Sequence, residues 1–392
     1  MFNLFFWRKP KVNLIIIYLM AFFWALAAAL PAYVQSSYLE NFIGLSAVTW
    51  FFIFANLISF FSIIFFPRLI KKFGNYLSTG LIASLALVSF IGLGLSTRAA
   101  FIFLFFALMQ LSINLVWINM DIFLESFSKD ASTGKTRTIY FTIINLAWVL
   151  SPNLSAWLIS LLDYKGVFLV SASLIIPFLL IFVFQGNKIK SEIKYKKERI
   201  LKTVREMLKN KNLKGVYWLA ALLNVFYSVA TVFVPIYLHK TLGFSWAELG
   251  LAFSIMLIPF LIVEIPAGII ADKYLGEKEF FFIGFTIIIT CLIIFFYSTS
   301  LNIWFWAAIL FISRIGAALV EAMRESYFFK NVSASDVNKI NLFRTATPFG
   351  YLLGTALATV ILLFLPIQYI FALIALFIFS AFPALFGIKD TK

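Results

Sequence analysis

Glu264-Ile265-Pro266-Ala267-Gly268-Ile269-Ile270-Ala271-Asp272-Lys273-Tyr274-Leu275-Gly276-Glu277-Lys278 is the stretch on which the reading of this chain turns. An apolar run from 247 leads into it, and another from 280 leads out. A helix needs about 20 apolar residues to cross a hydrocarbon core of ~30 Å. The stretch therefore reads as a short polar turn between two membrane helices. Glycine at 276 suits a tight turn, because it has no Cβ to obstruct an unusual backbone angle. Glu264 is different: it lies inside the apolar run.

Working outward, the same pattern fills the chain. Apolar spans are predicted at 12–37, 44–67, 76–96, 99–126, 138–162, 166–185, 214–238, 247–271, 280–299, 302–327, 339–364 and 367–387. Of 392 residues, 62% are hydrophobic, 49 are Phe and only 12% are charged. A soluble domain carries about 25% charged residues. The expected class is an all-α integral membrane protein of about twelve helices. Continuous apolarity without two-residue alternation argues against a barrel. The run after Arg8, Lys9 and Lys11 is too long for a cleaved signal and reads as the first span.

The basic residues give a topology. Of 32 Lys and Arg, only Arg98, Lys165 and Lys240 fall in loops on one side, and Arg314 falls within a span. The positive-inside rule then predicts both termini in the cytoplasm and a multi-pass protein of the inner (plasma) membrane. The net charge of +15 follows from that rule and implies no nucleic-acid binding. Eleven Lys or Arg and three Glu crowd into 188–214. There Ile193, Ile200, Leu201, Val204 and Leu208 recur at helical spacing, predicting a basic amphipathic linker on anionic headgroups. It divides the chain into a six-helix bundle (1–187), a linker (188–213) and a second six-helix bundle (214–392).

The bundles read as copies. Tyr38-Leu39 with Ile43-Gly44-Leu45-Ser46 matches Tyr237-Leu238 with Leu242-Gly243-Phe244-Ser245. Asp121, Glu125, Ser126 and Phe127 match Glu321, Glu325, Ser326 and Tyr327. The offsets are 199 and 200, in corresponding helices. Repeated halves around a central site are a transporter architecture.

The opening stretch resembles the G-x-x-x-D-[RK]-x-G-[RK]-[RK] signature of the major facilitator superfamily. It has one extra residue before Gly276, and Glu277 stands at a usually basic place. The first-half copy, Pro67-Arg68-Leu69-Ile70-Lys71-Lys72-Phe73-Gly74, has Lys71 where the signature has Asp. The resemblance implies a twelve-helix fold working by alternating access. It also implies that Gly268 permits close helix approach and that Asp272 meets the N-terminus of span five near Thr138. Lys273 and Arg324 are expected to complete a charge network with Asp272 and Glu325. Arg314-Ile315-Gly316-Ala317-Ala318 is similar to a membrane-embedded arginine motif of the family, in span ten rather than four. Ser151-Pro152-Asn153-Leu154-Ser155-Ala156 is similar to the antiporters' G-P-x-x-G-G motif, with Ser and Ala for glycines.

Ionisable groups inside a bilayer are costly and mark function. At 1.5 Å per residue, Glu264 lies roughly 12 Å above Asp272 and Arg314 roughly 16 Å above Glu325. Both fall near the midplane, where the first half has Phe65 and Asn114. A buried Glu264–Arg314 couple is expected to bind substrate or a proton, or else to tie two helices. The family builds its cavity from spans one, four, seven and ten, which contribute Trp24, Gln110, Asn114, Trp117, Asn224 and Tyr227, with Asn145 from span five. Aromatic walls with a few amides suit an amphipathic solute. Asp121, Glu125, Glu321 and Glu325 are expected to form a gate, with Arg137 and Arg344 as counter-ions.

The expected function is secondary transport of a small solute, with proton-coupled efflux of an amphipathic compound ahead of metabolite uptake. A lipid-handling protein or a non-transporting sensor of the same fold is the alternative. One cysteine, Cys291, excludes a disulfide or Cys-metal framework, and the single His239 gives a triad or metal site little to build on. No G-x-x-x-x-G-K-[ST] loop is present, so no ATP-driven step is expected. The chain is expected to be a monomer with no enzyme activity, no metal and no cofactor beyond a coupling proton.

Overall fold

A computed structural model describes residues 12–127, 133–185, 200–332 and 337–389. The first half of the chain runs α1 (Val12–Ala29), α2 (Gln35–Ile43), α3 (Leu45–Leu95), α4 (Ala99–Phe127) and α5 (Thr133–Gln185). After α6 (Ile200–Lys209), α7 (Lys211–Ser228) continues through a wide turn (Val229–Phe233), α8 (Val234–Ile236) and another wide turn (Tyr237–Thr241). Then come α9 (Trp246–Ile262), α10 (Glu264–Ile270), the wide turn Ala271–Leu275 and α11 (Glu277–Tyr297). The chain closes with α12 (Ile303–Asn331), α13 (Val337–Arg344), α14 (Ala346–Leu362), α15 (Tyr369–Ile378) and α16 (Ala381–Gly387).

Among the described residues, nine helical stretches are long and apolar enough to cross a membrane, alongside the shorter Asn13–Ala29. Two of the nine, Ala47–Leu95 and Ile139–Gln185, are 49 and 47 residues long. Each is twice a span and is broken once, at Gly74 and at Asp163. Counting each as two spans gives the twelve expected from hydropathy. The first span departs from expectation: α1 stops at Ala29, and a turn through Pro31 precedes α2. Ser155 donates to the Leu30 carbonyl exposed by that break.

The turns repeat between halves. Positive φ occurs at Gly44 (74°) and Gly243 (82°), and again at Gly74 (76°) and Gly276 (93°). Those angles are costly for any residue with a Cβ. The duplication read from side chains is thus also present in backbone angles.

Exposed Trp50, Phe184, Phe364 and Phe386 face outward, as lipid-facing side chains do. The Lys211–Thr241 stretch is instead buried on nearly all sides, placing span seven inside its bundle. Two helix pairs make the seam between halves, α5 against α9 and α3 against α14. Small residues let the first pair close: a Cβ on Gly250 would come within 2.5 Å of Ala156 Cβ and 3.0 Å of the Pro152 carbonyl. The antiporter-like stretch at 151–156 is therefore a packing seam.

Two expectations change here. Gly268 stands in open space, with nothing within 4 Å of a built Cβ, so it makes no close helix approach. In α6 the buried residues are Thr203 and Met207, while Leu208 is exposed. The face turned to the protein is thus one step around the helix from the face expected for lipid. Residue 193 and the rest of 188–199 lie outside the described residues.

Candidate functional site

Arg314 sits near the middle of α12 and is 1% exposed. Its guanidinium carbon lies 5.0 Å from the centre of the Phe226 ring and 5.8 Å from that of Tyr227. Nε, Nη1 and Nη2 are all buried without a hydrogen-bond partner. Tyr33, from the first half, brings its hydroxyl close to the same group. Arg314 borders a void of about 10 Å³, room for one water, lined also by Phe226, Val229, Ala230, Cys291 and Leu310. The wide turn at Val229–Phe233 lies on this wall; such turns are frequent at functional sites. Below it Thr231 pairs with the Tyr351 hydroxyl at 3.2 Å.

Seven residues further along α12 the charges are paired. Tyr227 donates a short hydrogen bond to Glu321. Arg324 Nη2 donates to Glu321 Oε1 at 2.9 Å, and its Nε lies 3.9 Å from Glu325 Oε1. Arg344 holds Glu325 through both oxygens, at 2.6 and 3.2 Å, the bidentate geometry that suits guanidinium and carboxylate. Its Nη2 also lies 3.4 Å from Asp121 Oδ2. Asp121 belongs to the first half, so this chain of charges crosses the seam.

The opposite end of the seam is also shut, by different means. Lys240 Nζ lies 3.2 Å from Glu40 and donates to Asn41 at 2.8 Å. Trp246 Nε1 donates to the Tyr164 hydroxyl at 2.6 Å, and Asn153 N–H to Ser254 at 3.2 Å. His239 accepts a local role, its ring bonded to the Phe244 carbonyl and resting on Trp246.

The expected Glu264–Arg314 couple is not formed in this structure. Glu264 opens α10 just below the break at Val263, beneath Pro259, and sits among Glu321, Arg324 and Glu325. Equal height read from residue counts does not bring the two together: Glu264 groups with Glu321, Arg324 and Glu325, seven or more residues along α12 from Arg314. Asn224 faces α14, donating to the Ala220 carbonyl and packing against Gly350, not a cavity. Trp24 stacks on Phe178 inside its own bundle, 5.1 Å between ring centres. Asn114 donates to the carbonyl of Gln110 one turn back, at 2.9 Å. Gln110, Asn114 and Trp117 are half-buried. Asn145 reaches across the seam to the Phe260 carbonyl at 3.4 Å. The side chains of Glu125, Arg137, Thr138, Asp272 and Lys273 lie outside the described set, and with them the latch expected of Asp272.

Residues that sequence reasoning missed are Phe226, Tyr33, Tyr351 and Glu277. The last is fully buried, with Lys330 Nζ at 2.7 Å and Ser326 at 3.2 Å. The acid that departs from the signature is therefore a buried ion-pair partner. No group of three or more His, Cys, Asp or Glu that could hold a metal occurs among the described residues.

Helices in two repeated bundles, a seam polar at both ends and a charged group buried between them define a polytopic membrane transporter. The family model of the Major Facilitator Superfamily matches residues 12–341 and 247–392, and the chain belongs to that family. A mutant of the nucleoside transporter NupG superposes with a TM-score of 0.74, covering 96% of this chain and 100% of that one. At 13% identity that likeness carries the fold. No curated protein sequence matches the chain. Family and fold point to a transporter rather than an enzyme.

Proposed function

We propose that this chain is a secondary active transporter of the plasma membrane that moves a small amphipathic solute by alternating access. One observation carries the reading: the seam holds polar contacts between halves at both ends, with buried Arg314 between them. A solute site midway between two closures is what alternating access requires. The Asp121–Arg344–Glu325 chain serves as the cytoplasmic gate, and the Glu40–Lys240 and Tyr164–Trp246 contacts serve as the outer one. Glu264, Glu321 and Glu325 converge on Arg324, and this cluster serves as the proton-exchange site coupled to the gate. Efflux is the favoured direction, resting on the span-five resemblance and the aromatic walls. Because the structural neighbour is a nucleoside transporter, nucleosides belong in the first solute panel.

Spin labels test the cycle without a known solute. In a Cys291→Ser background, one pair replaces Phe42 and Thr241, exposed neighbours of the Asn41–Lys240 contact, and another replaces Ile64 and Asn338, which border one crevice between α3 and α13. Pulsed EPR distances are then followed across pH in nanodiscs. Alternating access predicts that conditions lengthening one distance shorten the other. Distances that stay fixed, or move together, would overturn the reading.

A further inference from the structure

The guanidinium of Arg314, buried beside the Tyr33 hydroxyl and two rings with no carboxylate on it, is the strongest unexplained feature of the molecule. A guanidinium carries five N–H donors and cannot shed its charge. Ring faces at 5.0 and 5.8 Å offset part of the charge but bring no counter-charge. The acids nearby are already engaged. Glu321 is held by Arg324 and Tyr227, Glu325 by Arg344, and Glu264 lies with that cluster rather than at Arg314. A buried cation left in this state is strongly unfavourable unless an anion completes it.

We infer that Arg314 receives the carboxylate of an organic monoanion with an apolar body, and that this anion is the transported solute. The word solute rests on the transport reading; the anion site rests on Arg314 alone. Three observations select the class. The donors sit in one plane at one residue, a fork that matches a carboxylate. A single positive charge is balanced by a monoanion, whereas a dianion would leave a buried charge uncompensated. The walls are apolar, with Phe226, Val229, Leu310 and Phe295 around the void, so the body of the solute contributes by burial rather than by hydrogen bonds. In this closed conformation the void holds about one water, so the anion enters when one end of the seam opens. The Tyr33 hydroxyl, reaching over from the first half, can donate to the second carboxylate oxygen and so sense an occupied site.

Binding is read from thermal unfolding of the full chain in nanodiscs, using a thiol-reactive dye that reports exposure of buried Cys291. Probes are matched pairs, benzoate with benzamide and indole-3-acetate with indole-3-acetamide, plus uridine and adenosine. The acids are expected to raise the unfolding temperature by at least about 2 °C near saturation, and the amides to bind at least about tenfold more weakly. Arg314→Gln is expected to lose the acid shift while unfolding, without ligand, at or above the wild-type temperature, because an uncompensated charge is gone. Arg314→Lys keeps the charge, loses the planar fork and binds the acids more weakly than wild type. Amides or nucleosides acting as well as the acids would overturn the anion site, as would an acid shift surviving in Arg314→Gln. So would the absence of any acid shift in the wild type, or a fall in the ligand-free temperature of both variants. If the acids bind and the EPR distances do not alternate, the transport reading fails alone; the reverse result removes only the anion site.

Discussion

Gly74 and Gly276 close the same turn in the two halves of the chain, and around that shared backbone the halves diverge. Both glycines hold positive φ, 76° and 93°. Around Gly74 the charges are basic and outward: Arg68 rests over Phe65 at 5.0 Å and Lys72 over Phe73 at 5.1 Å, as cations do at a membrane surface. After Gly276 comes Glu277, fully buried and paired with Lys330. The contrast extends into the spans. Arg314, Glu264, Glu321 and Arg324 all belong to the second half, while the first half places Phe65 and Asn114 at two of the matching positions. A connection of a few residues between long helices imposes the turn on both copies. The charges are free to specialise, and they have gathered in one half. The first half supplies walls and two acids that reach across the seam, Asp121 and Glu40; the second supplies the clustered charges of both signs.

The sharpest way to break that contrast is to remove the cation that ties the halves together. Arg344→Ala takes away the guanidinium shared by Glu325 and Asp121. Breaking a fully buried pair costs 3–5 kcal/mol. With Arg344 and Glu325 each about a fifth exposed, roughly 2–3 kcal/mol is expected here. The loss should show as a lower unfolding temperature and a longer distance between labels at 64 and 338. The distance between labels at 42 and 241 should not lengthen. An unchanged distance at the Arg344 end would mean that packing of α3 on α14 closes it without the charges.

Backbone turns give an intermediate effect and test the symmetry directly. Gly44→Ala and Gly243→Ala place a Cβ in open space, so steric crowding plays no part and only the backbone angle is strained. Each is expected to destabilise by about 1–2 kcal/mol, and by the same amount in either half. Gly268→Ala is the control. Its surroundings are equally open and its helix is regular, so alanine should be neutral or stabilising by up to ~1 kcal/mol. A large loss at Gly268 would restore the close approach that the signature implies. A loss at Gly44 without one at Gly243 would end the claim that the halves share their turns.

Most of the fold was legible because each span needs only apolar length, which composition supplies. The candidate site was legible where a charge interrupts that apolarity, which is how Arg314, Glu264 and Glu321 stand out. It was illegible wherever rotation about a helix axis decides. Asn224 and Tyr227 lie three residues apart on one helix, yet Asn224 packs on α14 and Tyr227 bonds Glu321. Trp24 resembles a cavity residue by type and turns out to stack inside its bundle. Tyr33 and Phe226 gave no signal, because one aromatic among 49 Phe and 15 Tyr carries no information about what it faces. The pairing of Glu264 was lost because residue counts along two helices do not record how one is shifted against the other, and Glu264 lies with Glu321 and Arg324.

The smallest effect is expected at the opposite end of the seam, and it sharpens the comparison most finely. Lys240 to Glu40 spans 3.2 Å, but the lysine is 39% exposed and the glutamate 22%. An exposed pair of this kind is worth about 0.2–1 kcal/mol and weakens as salt screens it. Lys240→Ala should therefore shift unfolding by less than Arg344→Ala, and the shift should vanish in high salt. The Trp246–Tyr164 hydrogen bond and the close packing of Gly250 on Ala156 persist without the lysine. The end should thus stay closed in the absence of any driving ion. If Lys240→Ala instead opens this end as fully as Arg344→Ala opens the other, the two closures are of equal strength. The proposal that the charges of the second half decide which side opens first would then fall.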